Sequence, residues 1–281
     1  GSNLVLKNEI SIGDLIAFNG YLAILEAPVT WIPWLLGRAK KFKVSFDRLD
    51  KMFKLPEEEI EDFEKNNNDK LEGNIEIKNL TYNYPGYIET VLENININIK
   101  KGESLGIIGV IGSGKTTLMN LLLKLYDVER GKIFIDGKDI NDIKVKTIRD
   151  NICYITQDNF LFSATLKENI NLFKDEYKDE DIEESTKQAM IYDEISSMEE
   201  GINTVIGEKG IDLSGGQKQR VVISRAFLNN SNIIIFDDTF SALDNRTEQH
   251  VLNNIKELTK NKTCIIVSNR ISDIKDCDKI I

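Results

Sequence analysis

The pattern of hydrophobic positions divides residues 73–281 into short apolar segments separated by longer helical ones. Isoleucines occupy alternate positions in residues 75–77 and 95–99, which predicts strands that bury one face. Other segments are continuously apolar, as in the strands of a parallel sheet covered on both faces: residues 105–108, 151–156, 233–236 and 264–267. Strands that alternate with helices predict an α/β fold.

Further elements complete this pattern. Leucines of residues 117–125 recur on one side of a predicted helix, and residues 131–135, followed by Asp136 and Gly137, predict a strand with a tight turn. From residue 158 to about 225 the sequence becomes polar and helical, which predicts a helical insertion. The sequence stops at residues 280–281 as another strand begins, so we expect the folded domain to be truncated at its C-terminus.

The N-terminal segment 15–37 is strongly apolar. Its length is close to the roughly 20 residues that a helix needs to cross a bilayer. Trp31 and Trp34 come near its end and a basic cluster, residues 38–43, follows, as at the cytoplasmic border of a membrane helix. Glu26 lies within the segment, and one glycine and two prolines are expected to interrupt the helix. An amphipathic helix on a soluble domain is therefore the alternative.

Residues 51–72 are acidic and then rich in asparagine, with little to bury, which predicts a linker. The predicted organisation is a membrane segment over residues 1–50, this linker, and a folded domain over residues 73–281. The formal net charge of −10 argues against a nucleic-acid partner, because such binding depends on clustered lysine and arginine. Cys153, Cys264 and Cys277 lack metal-site spacing, and the first two are predicted as buried thiols.

Residues 109–116, here the phosphate loop, connect the strand 105–108 to the next helix. Glycines in this loop can adopt backbone angles closed to other residues, so that successive N–H groups surround an anion. The positive end of the helix faces the same anion. Lys115 supplies a cation for the β- and γ-phosphates of ATP, and the Thr116 hydroxyl is placed for Mg²⁺. The predicted ATP site comprises Gly109, Gly112, Ser113, Gly114, Lys115, Thr116 and Thr117.

A second glycine-rich stretch is Leu-Ser-Gly-Gly-Gln at residues 213–217, here the signature loop. At a helix start, the Ser214 hydroxyl and the amides of Gly215 and Gly216 offer hydrogen bonds to a phosphate. A plain helix cap is the alternative. Together with the phosphate loop, the stretch resembles the ATP-binding cassette (ABC) ATPases. The resemblance implies an α/β P-loop NTPase fold with a mixed-sheet core, a helical subdomain at about 158–225, and a signature loop, including Gln217, that meets the nucleotide of an opposite subunit.

The resemblance also assigns roles to single residues. Tyr84 matches the aromatic residue that stacks on adenine, although a core position is the alternative. Gln157 matches the glutamine that meets Mg²⁺ and links to the membrane domain, and Asp237 matches the carboxylate that holds Mg²⁺ through water. Asp244 ends residues 241–244, here the interface loop, which runs along the dimer interface in this family, and the resemblance implies that it belongs to the nucleotide-binding residues.

Several stretches resemble exporters in particular. Residues 204–210 are similar to a segment that contacts the cytoplasmic ends of the membrane helices, and residues 160–163 and 168–170 resemble the exporter helical subdomain. The N-terminal segment resembles the last transmembrane helix of an exporter. This implies a transmembrane domain as partner and a plasma-membrane location with the ATPase on the cytoplasmic face. The transported substrate is not encoded here, and a soluble ABC ATPase is the alternative.

Two catalytic positions depart from the family pattern. Asp238 stands where efficient members have glutamate, and Asn269 stands where they have a histidine that contacts the γ-phosphate. These substitutions resemble the degenerate half of heterodimeric exporters, which implies slow hydrolysis by Asp238, Asn269 and Gln157 and a second exporter half as partner. A homodimer with slow turnover and an ATP-dependent clamp with negligible hydrolysis are the alternatives. His250, the single histidine, is predicted on the surface.

Overall fold

The computed structural model describes residues 1–7, 10–54, 70–207 and 210–281, apart from the Ser2 side chain. The chain forms two compact units, Gly1–Lys65 and Asn66–Ile281. Most of the predicted linker lies outside the described residues, as do Glu208 and Lys209 of the exporter-like segment 204–210. The predicted linker boundaries therefore stay predictions.

The N-terminal unit consists of helices α1 (Ser2–Leu6) and α2 (Ile12–Phe53). Ser11 caps α2, where its hydroxyl accepts a hydrogen bond from the Asp14 amide at 3.1 Å. The expected interruption is wrong, because α2 continues through both Pro28 and Pro33. Each proline removes one backbone hydrogen bond, and the turns on either side keep the helix continuous.

Helix α2 is long enough to cross a membrane. Its 42 residues make it about 63 Å long, against about 30 Å for the hydrocarbon core of a bilayer. Length and composition make it the one candidate span among the described residues. None of its residues is buried, and the Arg38 guanidinium lies 4.7 Å from the ring centroid of Trp34 near the basic end.

The second unit contains two sheets. In the part of the chain that the structure describes, the strands are β1 (Ile75–Tyr82), β2 (Leu92–Ile99), β3 (Ser104–Ile108), β4 (Ile133–Ile135), β5 (Lys138–Asp139), β6 (Ile152–Ile155), β7 (Ile233–Asp237), β8 (Thr263–Ser268) and β9 (Lys279–Ile280). One sheet is antiparallel, in the order β2-β1-β4-β5, and the other is parallel, in the order β6-β7-β8-β3-β9. The predicted mixed core is therefore built from two sheets of different sense.

The parallel sheet is covered on both faces, as its apolar strands predicted. Alternate residues of β7 enter different cores: Ile235 packs in the core shared with the antiparallel sheet, whereas Ile234 and Phe236 pack in the core of the helical insertion. All five residues of β7 are buried. Strands β3, β7 and β8 are parallel neighbours or next neighbours, so their carboxyl ends at Ile108, Asp237 and Ser268 share one edge of the sheet.

The helices of this unit surround the parallel sheet. They are α3 (Lys115–Leu122), α4 (Val145–Asn151), α5 (Leu166–Asn171), α6 (Asp179–Gln188), α7 (Tyr192–Ser196), α8 (Gly215–Leu228), α9 (Asn245–Leu258) and α10 (Ile271–Ile274). Helices α5 to α8 form the predicted helical insertion. The prediction that the helix after the phosphate loop reaches Leu125 is wrong, because α3 ends at Leu122, Lys124 is left-handed with φ 49°, and Leu125 is 50% exposed.

Cys153, Cys264 and His250 lie where the sequence predicted them. Cys153 and Cys264 are buried in strands, and burial raises the pKa of Cys153 to about 12 and that of Cys264 further. Cys277 is half-buried, and burial raises its pKa to about 11. These thiols are therefore protonated at neutral pH. His250 is exposed on α9.

Candidate nucleotide site and signature loop

The phosphate loop turns sharply between β3 and α3. Gly112 and Gly114 have φ values of 83° and 88°, which a residue with a side chain adopts only under strain. The expectation that Gly109 also needs such an angle is wrong, since it is absent from the positive-φ glycines. A Cβ atom at Gly109 would lie 2.7 Å from Ser113 Oγ, so a side chain there would force the serine hydroxyl to move.

The start of α3 fits a polyphosphate. Gly114 is the N-cap of α3, and a Cβ atom there would lie 2.8 Å from Leu92 Cδ2 and 2.9 Å from the carbonyl oxygen of Val91. The first-turn amides, which include those of Thr116 and Thr117, have no acceptor within the helix. These amides and the Lys115 ammonium form a donor set that matches phosphate oxygens, so the residues present fit the triphosphate of ATP.

Four polar side chains, here the polar cluster, meet at the carboxyl edge of the parallel sheet: Lys115, Gln157, Asp238 and Asn269. Lys115 Nζ donates to Asn269 Oδ1 at 3.0 Å, and also to the carbonyl oxygens of Gly109 at 2.6 Å and Val110 at 3.0 Å. Asn269 Nδ2 and Gln157 Nε2 both donate to Asp238 Oδ2 at 3.2 Å. The structure thus brings the three predicted catalytic residues together, and Asn269 connects them to the phosphate-loop lysine.

The backbone fixes the direction of Asp238. This residue follows β7 with φ 47°, an angle that aspartate tolerates better than most residues, and its N–H donates to the carbonyl oxygen of Val267 at 2.8 Å. The carboxylate therefore leaves the sheet at a tight turn. Asn269 presents its oxygen to the Lys115 ammonium and its nitrogen to Asp238, which is the orientation that the two charges require.

Asp237, the predicted Mg²⁺ ligand, is 2% exposed at the end of β7. Its Oδ2 atom accepts a hydrogen bond from the Tyr154 hydroxyl at 2.9 Å. Burial, with the Asp237 charge as a further cause, raises the pKa of Tyr154, so the hydroxyl remains a donor at neutral pH. The sequence did not indicate Tyr154, because only the strand order of the sheet places β6 beside β7.

The oxygen donors near the phosphate loop fit Mg²⁺. They are the Thr116 hydroxyl, the Asp237 carboxylate and the Gln157 amide oxygen, a set that suits a cation that keeps water and phosphate ligands. Within the described ranges, no three His, Cys, Asp or Glu side chains form a metal cluster. A magnesium ion here would depend on nucleotide oxygens, and its site stays a prediction.

Tyr84 is half-buried beside the phosphate-loop helix. Its hydroxyl and Thr117 Oγ1 are 2.9 Å apart, within hydrogen-bond distance. The ring meets Tyr82 and Tyr126 edge to face, at centroid distances of 5.4 and 5.1 Å. Tyr84 thus lies at the border of the core and next to the first turn of α3, and its stacking on adenine stays a prediction.

The signature loop caps α8. Ser214 Oγ accepts from the Gln217 amide at 3.3 Å, and Gln217 Oε1 accepts from the Ser214 amide at 2.8 Å. The plain-cap alternative accounts for these bonds. It does not account for Gly216, where a Cβ atom would lie 3.1 Å from the carbonyl oxygen of Ala242, or for Gly215, which faces open space.

Three side-chain contacts connect the signature helix to its surroundings. Gln219 is fully buried, and its Oε1 accepts from the Ala242 amide of the interface loop at 3.0 Å. Glu194 of α7 receives Gln217 Nε2 at 2.7 Å and pairs with Arg220 at 2.7 Å. Gln219 was not a predicted site residue, because only the fold shows which loop lies beside it.

Asp244 ends the interface loop and is the N-cap of α9. Its Oδ1 atom accepts from the amides of Arg246 and Thr247, both at 3.1 Å. Hydrogen bonding with Thr247 is the main cause that holds the pKa of Asp244 below its usual range. Its predicted contact with a nucleotide is a separate role, which stays a prediction.

The exporter-like stretches of the insertion pack together. The Ile206 amide donates to the carbonyl oxygen of Ala164 at 2.9 Å, and the Leu166 amide donates to that of Thr204 at 3.0 Å. A Cβ atom at Gly207 would lie 2.9 Å from Ser163 Cα. The described part of 204–210 therefore lies against residues 163–166.

The family follows from a match over this folded unit. The ABC transporter profile matches residues 92–241, more than half of the chain and from β2 to the interface loop. The chain belongs to the ABC transporter family. This confirms the family resemblance and the P-loop ATPase fold.

Relatives of this ABC transporter chain extend the match to the N-terminal helix. It is 38% identical over all 281 residues to the leukotoxin translocation ATP-binding protein LktB of Mannheimia glucosida, covering 39% of that protein. It is equally similar to the alpha-hemolysin translocation ATP-binding protein HlyB of Escherichia coli O157:H7, covering 40%. The chain thus spans about two fifths of the length of these curated relatives.

A solved structure agrees. A bacterial Atm1-family ABC exporter with ATP bound superposes with a TM-score of 0.74 at 32% sequence identity, over 96% of this chain and 48% of the other. The match covers nearly the whole chain. Relatives and solved structure alike are exporters or translocation proteins, which agrees with the exporter-type resemblance.

Proposed function

We propose that this chain is the ATP-binding part of a membrane exporter, in which ATP drives two such domains together and powers transport. The observation that carries this proposal is the phosphate loop at the sheet edge, where Lys115 donates a hydrogen bond to Asn269 and Asn269 donates one to Asp238. The names of LktB and HlyB, translocation proteins for toxins, support export as the activity.

The chain's own residues divide the work. The phosphate loop binds the triphosphate, Tyr84 orients the base, and Asp238 holds and orients the attacking water. When bound, ATP supplies the phosphoryl group for transfer and Mg²⁺ neutralises its charge. Gln157 holds Asp238 in place through the 3.2 Å hydrogen bond, and Asn269 orients Lys115 and Asp238 at once.

We infer that hydrolysis at this site is slow. Aspartate at position 238 is one methylene shorter than glutamate, and its Oδ2 atom already accepts two amide hydrogen bonds. A misplacement of about 1 Å can lower a rate about 100-fold. Asn269 carries no charge, so it adds less stabilisation to a transferring phosphoryl group than a protonated histidine.

The partner that fits a slow site is a second exporter half with an efficient one. In such a heterodimer, Ser214 and the amides of this chain's signature loop would complete the partner's site. A homodimer that turns over slowly is the second arrangement, and a clamp with negligible hydrolysis is the second function. Both rest on the same two substitutions, Asp238 and Asn269.

The membrane partner would be the chain's own transmembrane domain, with the ATPase on the cytoplasmic face of the plasma membrane. Helix α2 supports this by its length and apolar composition. In the folded unit, Phe160, Phe162 and Phe173 are 62%, 41% and 52% exposed and meet edge to face, which gives an apolar contact surface beside the exporter-like stretches.

Calorimetry with the Lys115→Ala variant tests the ATP site. We expect ATP affinity with Mg²⁺ to fall at least about tenfold, because the main cation for the β- and γ-phosphates is removed. Lys132→Ala, which changes the lysine directly before β4, is the matched control and should bind as wild type does. Unchanged affinity in Lys115→Ala would overturn the assignment.

A further inference from the structure

An ion network begins at Arg270, the residue after Asn269, and contains no residue of the polar cluster. Arg270 pairs through Nη2 with Glu248 Oε2 of α9, and the same nitrogen lies 3.4 Å from Asp273 Oδ1 of α10. The side chains of Glu248 and Asp273 are each 3% exposed, whereas that of Arg270 is 37% exposed. Buried carboxylates need a charge partner, and this guanidinium serves two of them.

The residue on the other side of Asn269 is tied to the same network. Ser268 is buried at the end of β8, and its Oγ donates to Asp273 Oδ2 at 2.6 Å. The Arg270 amide in turn donates to Ser268 Oγ at 3.0 Å. The two neighbours of Asn269 are therefore both anchored to a buried carboxylate.

Asn269 itself is exposed, and its side chain has contacts of 3.0 Å to Lys115 and 3.2 Å to Asp238. Such contacts depend on where the backbone holds the amide. We propose that Arg270 is a positioning residue, which through Glu248 and Asp273 fixes the turn that carries Asn269 into the polar cluster. Its relevance to hydrolysis rests on the proposed function, whereas its effect on Asn269 does not.

The network also reaches the interface loop. Glu248 lies one turn after Asp244, and its amide donates to the Asp244 carbonyl oxygen at 2.9 Å. Ala242 in the same loop is held by Gln219 of the signature helix. The Arg270–Glu248 pair therefore joins the position of Asn269 to the surface where this chain would meet its partner.

The direct test measures Asn269 without nucleotide. In the 281-residue chain, the side-chain amide ¹⁵N and ¹H resonances of Asn269 are assigned by their loss in Asn269→Asp. We expect Arg270→Gln to shift these resonances and Arg270→Lys, which keeps a charge for Glu248, to restore them largely. Arg130→Gln removes an exposed ion pair with Asp142 and should leave them unchanged.

The second measurement is single-turnover ATP hydrolysis with ATP affinity determined in parallel. We expect Arg270→Gln to lower the hydrolysis rate about tenfold and to leave the dissociation constant within about twofold, since Asn269 is displaced while the phosphate loop is intact. If Arg270→Gln does not fold, Glu248→Gln with Arg270→Met removes the pair without leaving Glu248 as a buried charge, while Asp273 keeps its hydrogen bond from Ser268, and the same shifts are expected.

Unshifted Asn269 resonances in a folded variant without the pair would overturn the proposal. So would an equal loss in Arg270→Lys and Arg270→Gln, which would show that the effect is not carried by the charge. Failure of the wild-type chain to bind ATP would contradict the proposed function instead, and the resonance measurement would still decide the role of Arg270.

Discussion

Restoring the two altered side chains is the most informative change to this site. The double variant Asp238→Glu with Asn269→His extends the carboxylate by one methylene and replaces an uncharged amide by an imidazole. At present Asp238 Oδ2 is held by Gln157 and Asn269 at 3.2 Å, and Asn269 Oδ1 receives the Lys115 ammonium at 3.0 Å. The change therefore alters both ends of the polar cluster.

The magnitude follows from this geometry. One methylene adds about 1.5 Å of reach, the length of one carbon–carbon bond, and a 1 Å misplacement can cost about 100-fold. Since the backbone at φ 47° aims the longer side chain along the same path, we expect a gain of at least about tenfold in single-turnover rate, or 1.4 kcal/mol of barrier. Each single variant should gain little, because water orientation and phosphate contact act as a unit.

The assay is single-turnover hydrolysis of MgATP by the four proteins, wild type, both singles and the double, with any partner site disabled. Lys115→Ala supplies the inactive baseline. ATP affinity should stay within about twofold throughout, because the altered groups act mainly in the transition state. A wild-type rate of several per second would show that the site is not weakened, and an unchanged double variant would refute the reasoning from side-chain length and charge.

Three further predictions concern other residues. Tyr84→Ala should weaken ATP binding by about 1–3 kcal/mol in calorimetry, whereas the exposed neighbour Tyr87→Ala should not; equal affinities would make Tyr84 a core residue only. Ser214→Arg should leave ATP binding by this chain intact and abolish turnover of the assembled transporter; wild-type turnover would contradict a signature loop that acts on the partner's site. Burial raises the pKa of Cys153 to about 12, so its neutral thiol stabilises the fold below the ordinary thiol pKa, and this contribution is lost as pH rises from about 9 towards 12. The free energy of unfolding, measured with urea, should therefore decrease less between pH 8 and 10.5 in Cys153→Ala than in wild type. An equal decrease in both proteins would contradict this prediction.

The sequence predicted the features that depend on local pattern. The phosphate loop was recognisable because glycines, a lysine and a threonine stand between an apolar strand and a helix. Gly114 shows why this works, since its φ of 88° and its contacts with Val91 and Leu92 leave no room for a side chain. The continuity of α2 could not be predicted from the sequence, because proline usually breaks a helix, whereas α2 continues through Pro28 and Pro33.

Contacts between distant residues could not be predicted in the same way. Tyr154 and Asp237 are 83 residues apart and meet only because β6 and β7 are neighbours in the parallel sheet. Gln219 and Ala242 meet because α8 packs beside the interface loop. Such pairs depend on strand order and helix packing, which a periodic pattern does not specify.

Helix α8 connects the signature loop to the loop that follows β6. Its first turn carries Ser214, and near its far end Arg225 donates to the carbonyl oxygens of Asn169 at 2.9 Å and Phe160 at 3.1 Å. Fourteen residues make a rod about 21 Å long, so a tilt of about 5° about one end moves the other by about 2 Å. Phe160 is three residues after Gln157. A tilt of α8 would therefore displace Ser214, which is exposed at one end of the helix. It would also displace the loop at the other end, in which Gln157 contacts Asp238.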